Sequence, residues 1–162
     1  MNPQACVDMP PALFRAIETS PVGALMRGSR VAVPIVETVH LLAIALAVGT
    51  IMVIDLSVLG IALRRETAPG ISAELAPWTR SGFAVALVSG TLLFCSEAVK
   101  MGCKPIFWAK LGLLAAAFAF YFTAESKLAA PARPLHARIT AIASLLLWFG
   151  VAFGGKAVGL FG

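Results

Sequence analysis

Four apolar runs, each about as long as the ~20 residues a bilayer core demands, or longer, dictate what this chain can become. From Val31 to Leu63 only Glu37, His40 and Asp55 carry ionisable side chains, until Arg64-Arg65-Glu66 and a Pro69-Gly70 turn close the run. A second run begins after Pro77-Trp78, where proline suits a helix start and tryptophan an interface, and continues to about Lys100. The third extends from about Pro105 to Glu125 and the fourth from about Ile139 to Leu160. The pattern predicts an all-α integral membrane four-helix bundle, with spans at about 31–63, 78–100, 105–125 and 139–160 in one domain over 31–162.

Composition agrees, since 59% hydrophobic residues, 13% charged ones and a mean hydropathy of +0.90 lie far from the mix of a soluble domain. A chain of 162 residues leaves no room for a large extramembrane domain. Ahead of the spans, residues 1–30 form a separate N-terminal segment. Met1 to Pro11 lacks the basic region of a cleavable signal peptide, so the whole chain is expected to be retained. Pro11 to Arg27 sets Leu13, Phe14, Ile17, Val22, Leu25 and Met26 among polar residues, broken at Ser20-Pro21, which predicts a short interfacial helix on the bilayer.

Four spans put both termini on one side, with the 64–77 and 127–137 loops on the other. The net charge of +5 does not point to nucleic acid, because the basic residues are scattered beside apolar segments, where lipid headgroups and topology signals use them. Arg15, Arg27, Arg30, Lys100, Lys104 and Lys156 fall on the terminal side; Arg64, Arg65, Arg80, Lys127, Arg133 and Arg138 fall near the loops. The counts tie at six each; because the loop charges stand in tighter clusters, cytoplasmic loops and periplasmic termini are the expectation. Small residues recur at Gly82, Ala86 and Gly90, and Gly150 and Gly154 form a GxxxG pair, so close helix packing, self-association or a membrane-protein partner is expected. The short Met101–Lys104 connection predicts a tight hairpin of the second and third spans.

Charges at membrane depth need a partner, a wet pocket or a function. Glu37 and His40 are three apart on one helical face, and a carboxylate beside an imidazole can orient the ring. Counting through the bundle brings Glu97, Lys110 and Lys156 to the same leaflet, so all four helices contribute to one polar layer. Two readings of that layer stand side by side: a neutralised network that fastens helix ends, or a site for a proton, a cation, a quinone headgroup or a haem edge. In the other leaflet Asp55, Arg80 and Arg138 read as a structural ion pair or triad. Asp55 lies five turns from Glu37, so both should project from the inward face of the first span.

A haem held by two histidines fails on depth, because His136 belongs near the opposite surface. Cys95, Met101 and Cys103, with Met52 elsewhere and His40 nearby in depth, are soft-ligand candidates for copper, but their spacing matches no strong motif and apolar filler explains them as well. Cys6, Cys95 and Cys103 are too few and too irregular to predict a disulfide scaffold or a zinc site. No glycine-rich phosphate loop, zincin motif or nucleophile elbow occurs in a fitting context, so an enzyme acting alone is not expected.

The stretch PIVETVHLLAIALAVGT from Pro34 to Thr50, followed by Ile54-Asp-Leu and Leu59-Gly, resembles an uncharacterised bacterial family of small four-helix membrane proteins. The likeness continues through Pro77-Trp-Thr-Arg-Ser-Gly-Phe, Thr91-Leu-Leu-Phe, Ser96-Glu-Ala, Phe107-Trp-Ala-Lys, Leu147-Trp-Phe-Gly and the late Lys156. It includes Glu37, His40, Asp55, Arg80, Glu97 and Lys110. The resemblance implies the fold and a multi-pass place in a bacterial inner membrane, and implies no activity. Where such proteins carry a histidine near the end of the third span, this chain has Thr123, which speaks against paired histidines. The expected function is a non-enzymatic membrane protein whose polar site serves a small ligand, a proton or a redox partner. A purely structural or assembly subunit, or a small transporter built as a homo-oligomer, are the rivals.

Overall fold

The computed structural model describes Cys6 and residues 11–63, 67–128 and 134–160, the side chains of 124–128, 134 and 153–160 excepted. Among them every regular element is a helix: α1 Ala12–Glu18, α2 Pro21–Gly28, α3 Ala32–Val58, α4 Ala68–Ser96, α5 Ala98–Gly102, α6 Pro105–Leu128 and α7 Pro134–Leu160. The helices α3, α4, α6 and α7 are each long and apolar enough to cross a membrane. The expected four-span bundle is therefore present.

Its boundaries differ from the sequence reading for identifiable reasons. α3 stops at Val58, because Gly60 takes a left-handed φ of +75° and lets the Gly60 and Ile61 N–H groups turn back to the Ser57 and Leu56 carbonyls. That is the Schellman arrangement, which satisfies carbonyls a helix end would otherwise strand. α4 begins ten residues earlier than Trp78. Thr67 caps it by accepting from the Gly70 N–H at 3.3 Å, so Pro69-Gly70 occupies the first turn rather than a loop. Pro77 then lies inside the helix, which membrane helices tolerate better than soluble ones.

Pairing also differs. The glycine strip of α4 faces α3: a Cβ on Gly82 would sit 2.9 Å from the Ala47 nitrogen and 3.0 Å from the Ala43 carbonyl oxygen. α3 and α4 thus form the closest pair and α6 and α7 the second, while α4 and α6 meet only sparingly. The predicted tight hairpin of the second and third spans does not form, because the small residues of α4 are spent on α3. Gly150 meets only a Leu113 methyl at 3.6 Å, an ordinary contact that does not require glycine. All four spans supply the core of Ala47, Ile51, Phe83, Ala117, Tyr121 and Trp148. Phe83 is its hub, with ring centroids of Phe118, Tyr121 and Trp148 at 4.5, 5.3 and 5.3 Å. Such packing holds helices together in lipid, where the hydrophobic effect no longer does.

The N-terminal segment is two short helices docked on the end of the bundle. Ser20 breaks them and caps α2, accepting from Gly23 N–H at 3.2 Å. Gly23 presses against backbone of Glu18 and Cys95, and Phe14 covers Gly102 and stands 6.4 Å from Trp108. Glu18 Oε2 accepts from the Val99 N–H at 2.8 Å, capping the start of α5, while its other oxygen faces Arg27 at 3.7 Å. Cys6 and Cys103 form a disulfide, leaving Cys95 free. Three irregular cysteines predicted no disulfide scaffold, and the single bridge was not legible because the partner of Cys103 comes from the N-terminal segment, 97 residues away in sequence.

Candidate functional site

α3 and α4 come together near the terminal end around one polar contact. His40 Nδ1 lies 2.9 Å from Ser89 Oγ, and its ring rests on Gly90, where a Cβ would come within 3.0 Å of Cε1. Gly90 therefore makes the room that the imidazole occupies. The single Ser89 proton is committed to its own helix, at 2.6 Å from the Val85 carbonyl, so the oxygen is left to accept from His40. This pattern assigns the proton to Nδ1 and leaves the lone pair on Nε2, the tautomer that binds a metal or accepts a proton or a hydroxyl.

α6 brings the third wall. Phe94 of α4 and Phe107 of α6 stack at 5.2 Å with planes 7° apart. One turn deeper along these antiparallel helices Gly90 and Lys110 reach a common level. His40 and Lys110 are both partly exposed, hence reachable.

The predicted polar layer is thus only partly assembled. By helix register Lys110 stands at the level of Gly90, on which His40 rests; Glu37 is exposed near the start of α3, where the bundle does not cover that face, rather than projecting inward with Asp55. Glu97 turns away to Lys100 at 3.4 Å, because the helix breaks at this residue, with φ −137° and ψ 39°, and straight-helix counting no longer applies. The side chain of Lys156 lies outside the described residues. Of the copper candidates, Cys103 is consumed by the disulfide and Cys95 is a lone thiol; among the described residues no three His, Cys, Asp or Glu side chains gather as a metal site. Met101 sits in α5 beside the docked cap, and His136 is exposed in the first turn of α7, at the far end from His40.

In the other leaflet Asp55 is buried, at 7% exposure, but no salt bridge joins it to Arg80 or Arg138. It faces Ser144 of α7, and its Oδ2 has no hydrogen-bond partner; nor has Nε1 of Trp148, one turn along α7. Arg138 is exposed and Arg80 has an interaction of its own. Depth counting put the three at one height but could not supply their azimuths. Asp55→Asn is accordingly expected to change stability by no more than about 1 kcal/mol, whereas breaking a buried ion pair would cost about 3–5 kcal/mol. Unfolding in a mixed-micelle denaturant titration separates these outcomes.

Ser89, Glu18 and Ser144 escaped the sequence reading, and Gly90 entered it only as part of a packing strip. A Ser-Gly pair inside an apolar helix was the one visible signal. Beyond the geometry, the Family of unknown function (DUF6644) matches residues 13–161. No curated protein and no solved structure matches the chain.

Proposed function

We propose that this chain, which belongs to the family of unknown function DUF6644, is a non-enzymatic ligand-binding subunit of a bacterial inner membrane, its site centred on His40. The observation that carries the reading is the fixed imidazole: Ser89 holds Nδ1, Gly90 clears space for the ring, and Nε2 keeps its lone pair at membrane depth. A histidine needed only for packing has no use for an orienting hydroxyl on a second helix and a cation on a third. The Cys6–Cys103 bridge favours an oxidising compartment for the terminal end, hence the periplasm for the site, both termini and the docked cap.

The test is ligand content. Wild-type protein, gently purified from its native membrane, is expected to carry a bound small molecule seen by absorption, metal and lipid-extract analysis. His40→Ala is expected to lower that content at least about tenfold, the scale of one to two hydrogen bonds, with the helical spectrum unchanged. A wild-type blank, or equal content in the folded variant, overturns the reading in favour of an assembly role.

A further inference from the structure

The two polar groups that helix register brings to one level, His40 on Gly90 and Lys110 one turn from Phe107, have opposite hydrogen-bonding character. Lys110 is donor-only, and among the described residues no carboxylate lies within ion-pair distance of it. His40 Nε2, with Nδ1–H committed to Ser89, is acceptor-only. An isolated ammonium in the membrane is costly, and the Glu37 carboxylate that could have answered it stands exposed instead. The complement of such a pair is a group whose oxygen accepts from an ammonium and whose hydroxyl donates to an imidazole.

A simple anion answers Lys110 but meets the lone pair of Nε2. A simple cation answers Nε2 but is repelled by Lys110. A carbonyl or hydroxyl on an apolar ring satisfies both in turn: the ketone oxygen accepts from Lys110, and in the reduced form the hydroxyl donates to Nε2. Around these groups the surroundings are suited to a ring, because Phe94 and Phe107 stack one turn toward the surface and the site lies within spans α3, α4 and α6.

We infer that the site between His40, Gly90 and Lys110 binds the head ring of a membrane-soluble quinol or quinone. The inference rests on the ligand-site reading above and names its ligand class; no electron transfer by this chain is part of it. Binding favours the quinol, which engages both groups, over the quinone, which engages Lys110 alone.

The experiment uses the full chain in nanodiscs of neutral lipid, titrated with a decyl-substituted benzoquinol, the matching quinone and dodecanoate, and followed by calorimetry. Expected is saturable quinol binding, weakened at least about tenfold by Lys110→Met or by His40→Ala, the loss of one strong hydrogen bond. Lys110→Arg, which keeps the donor, should stay within about threefold, less than half a hydrogen bond's worth. The Arg variant also guards against a trivial loss of fold. Binding of dodecanoate with none of the quinol overturns the quinol assignment yet leaves the ligand site standing. Quinol binding that is indifferent to both substitutions overturns it as well. Failure of the ligand-site reading is distinguishable, because it appears as unchanged native ligand content in His40→Ala.

Discussion

Gly82→Leu is expected to be the most damaging single substitution in the transmembrane part, costing about 3 kcal/mol or more, the upper end of overpacking effects. The reason is what stands opposite. A first added carbon meets the Ala47 nitrogen at 2.9 Å and the Ala43 oxygen and Ala47 Cβ at 3.0 Å, and two of those three atoms are main chain. A flexible side chain could swing aside, but a helix backbone cannot, so α3 and α4 must separate along their whole contact. Since that contact also sets Ser89 against His40, the ligand site should loosen with it. Gly150→Ala is the control: its nearest neighbour would be a Leu113 methyl at 3.6 Å, and alanine is the better helix former by about 0.5–1 kcal/mol. Denaturation midpoints in detergent should fall steeply for the first variant and hold or rise for the second. Equal behaviour would falsify the assignment of the close seam to α3 and α4.

Loss of the Cys6–Cys103 bridge is expected to have the second largest effect, and a localised one. On chain-entropy grounds a closed loop of this length stabilises a freely unfolding protein by about 4–5 kcal/mol. Here α3 and α4 stay in the bilayer and keep the loop ends near each other, so about 2 kcal/mol is the expected share. It should fall on the docking of α1 and α2, which otherwise depends on Phe14 against Gly102 and on Glu18 at the start of α5. In Cys6→Ser, protease should cut between residues 12 and 28 while the four spans remain intact. Thiol counting gives the direct check: a maleimide mass tag should add once to the denatured wild type, at Cys95, and three times after reduction. Three tags without a reductant would show that the bridge is absent, and with it the argument that the terminal end faces the periplasm.

Much of the architecture was legible because charge spacing is a strong signal in a chain with so few charges. The all-helical fold and its four spans follow from reading where the charges fall between apolar runs. Counting fails where rods end or bend. Gly60 ended α3 early by turning left-handed, and the break at Glu97 sent its carboxylate to Lys100 instead of inward. Pro77 looked like a helix start because the cap at Thr67 is a weaker sequence signal than a proline followed by tryptophan. Depth alone also cannot give direction around a helix axis, so Asp55 was matched with arginines that it does not meet. Ser89 was illegible for a further reason. Hydroxyls in apolar helices bond to their own backbone, as Thr91 does to Leu87 at 2.8 Å, and Ser89 does the same. Only the neighbouring helix reveals that its oxygen also holds an imidazole.

The 97-residue separation of Cys6 and Cys103 also sets a clock. At a synthesis rate of about 5–20 residues per second, Cys6 leaves the ribosome about 5–20 s before its partner exists. Throughout that interval the cap has no α5 to sit on, and the Cys6 thiol has no partner. Cys95 emerges slightly earlier than Cys103, which makes it the first thiol on offer and the wrong one. Correct pairing is therefore a matter of waiting: the break at Glu97 and the capping of α5 by Glu18 must form before oxidation does, so that geometry rather than order of arrival selects Cys103.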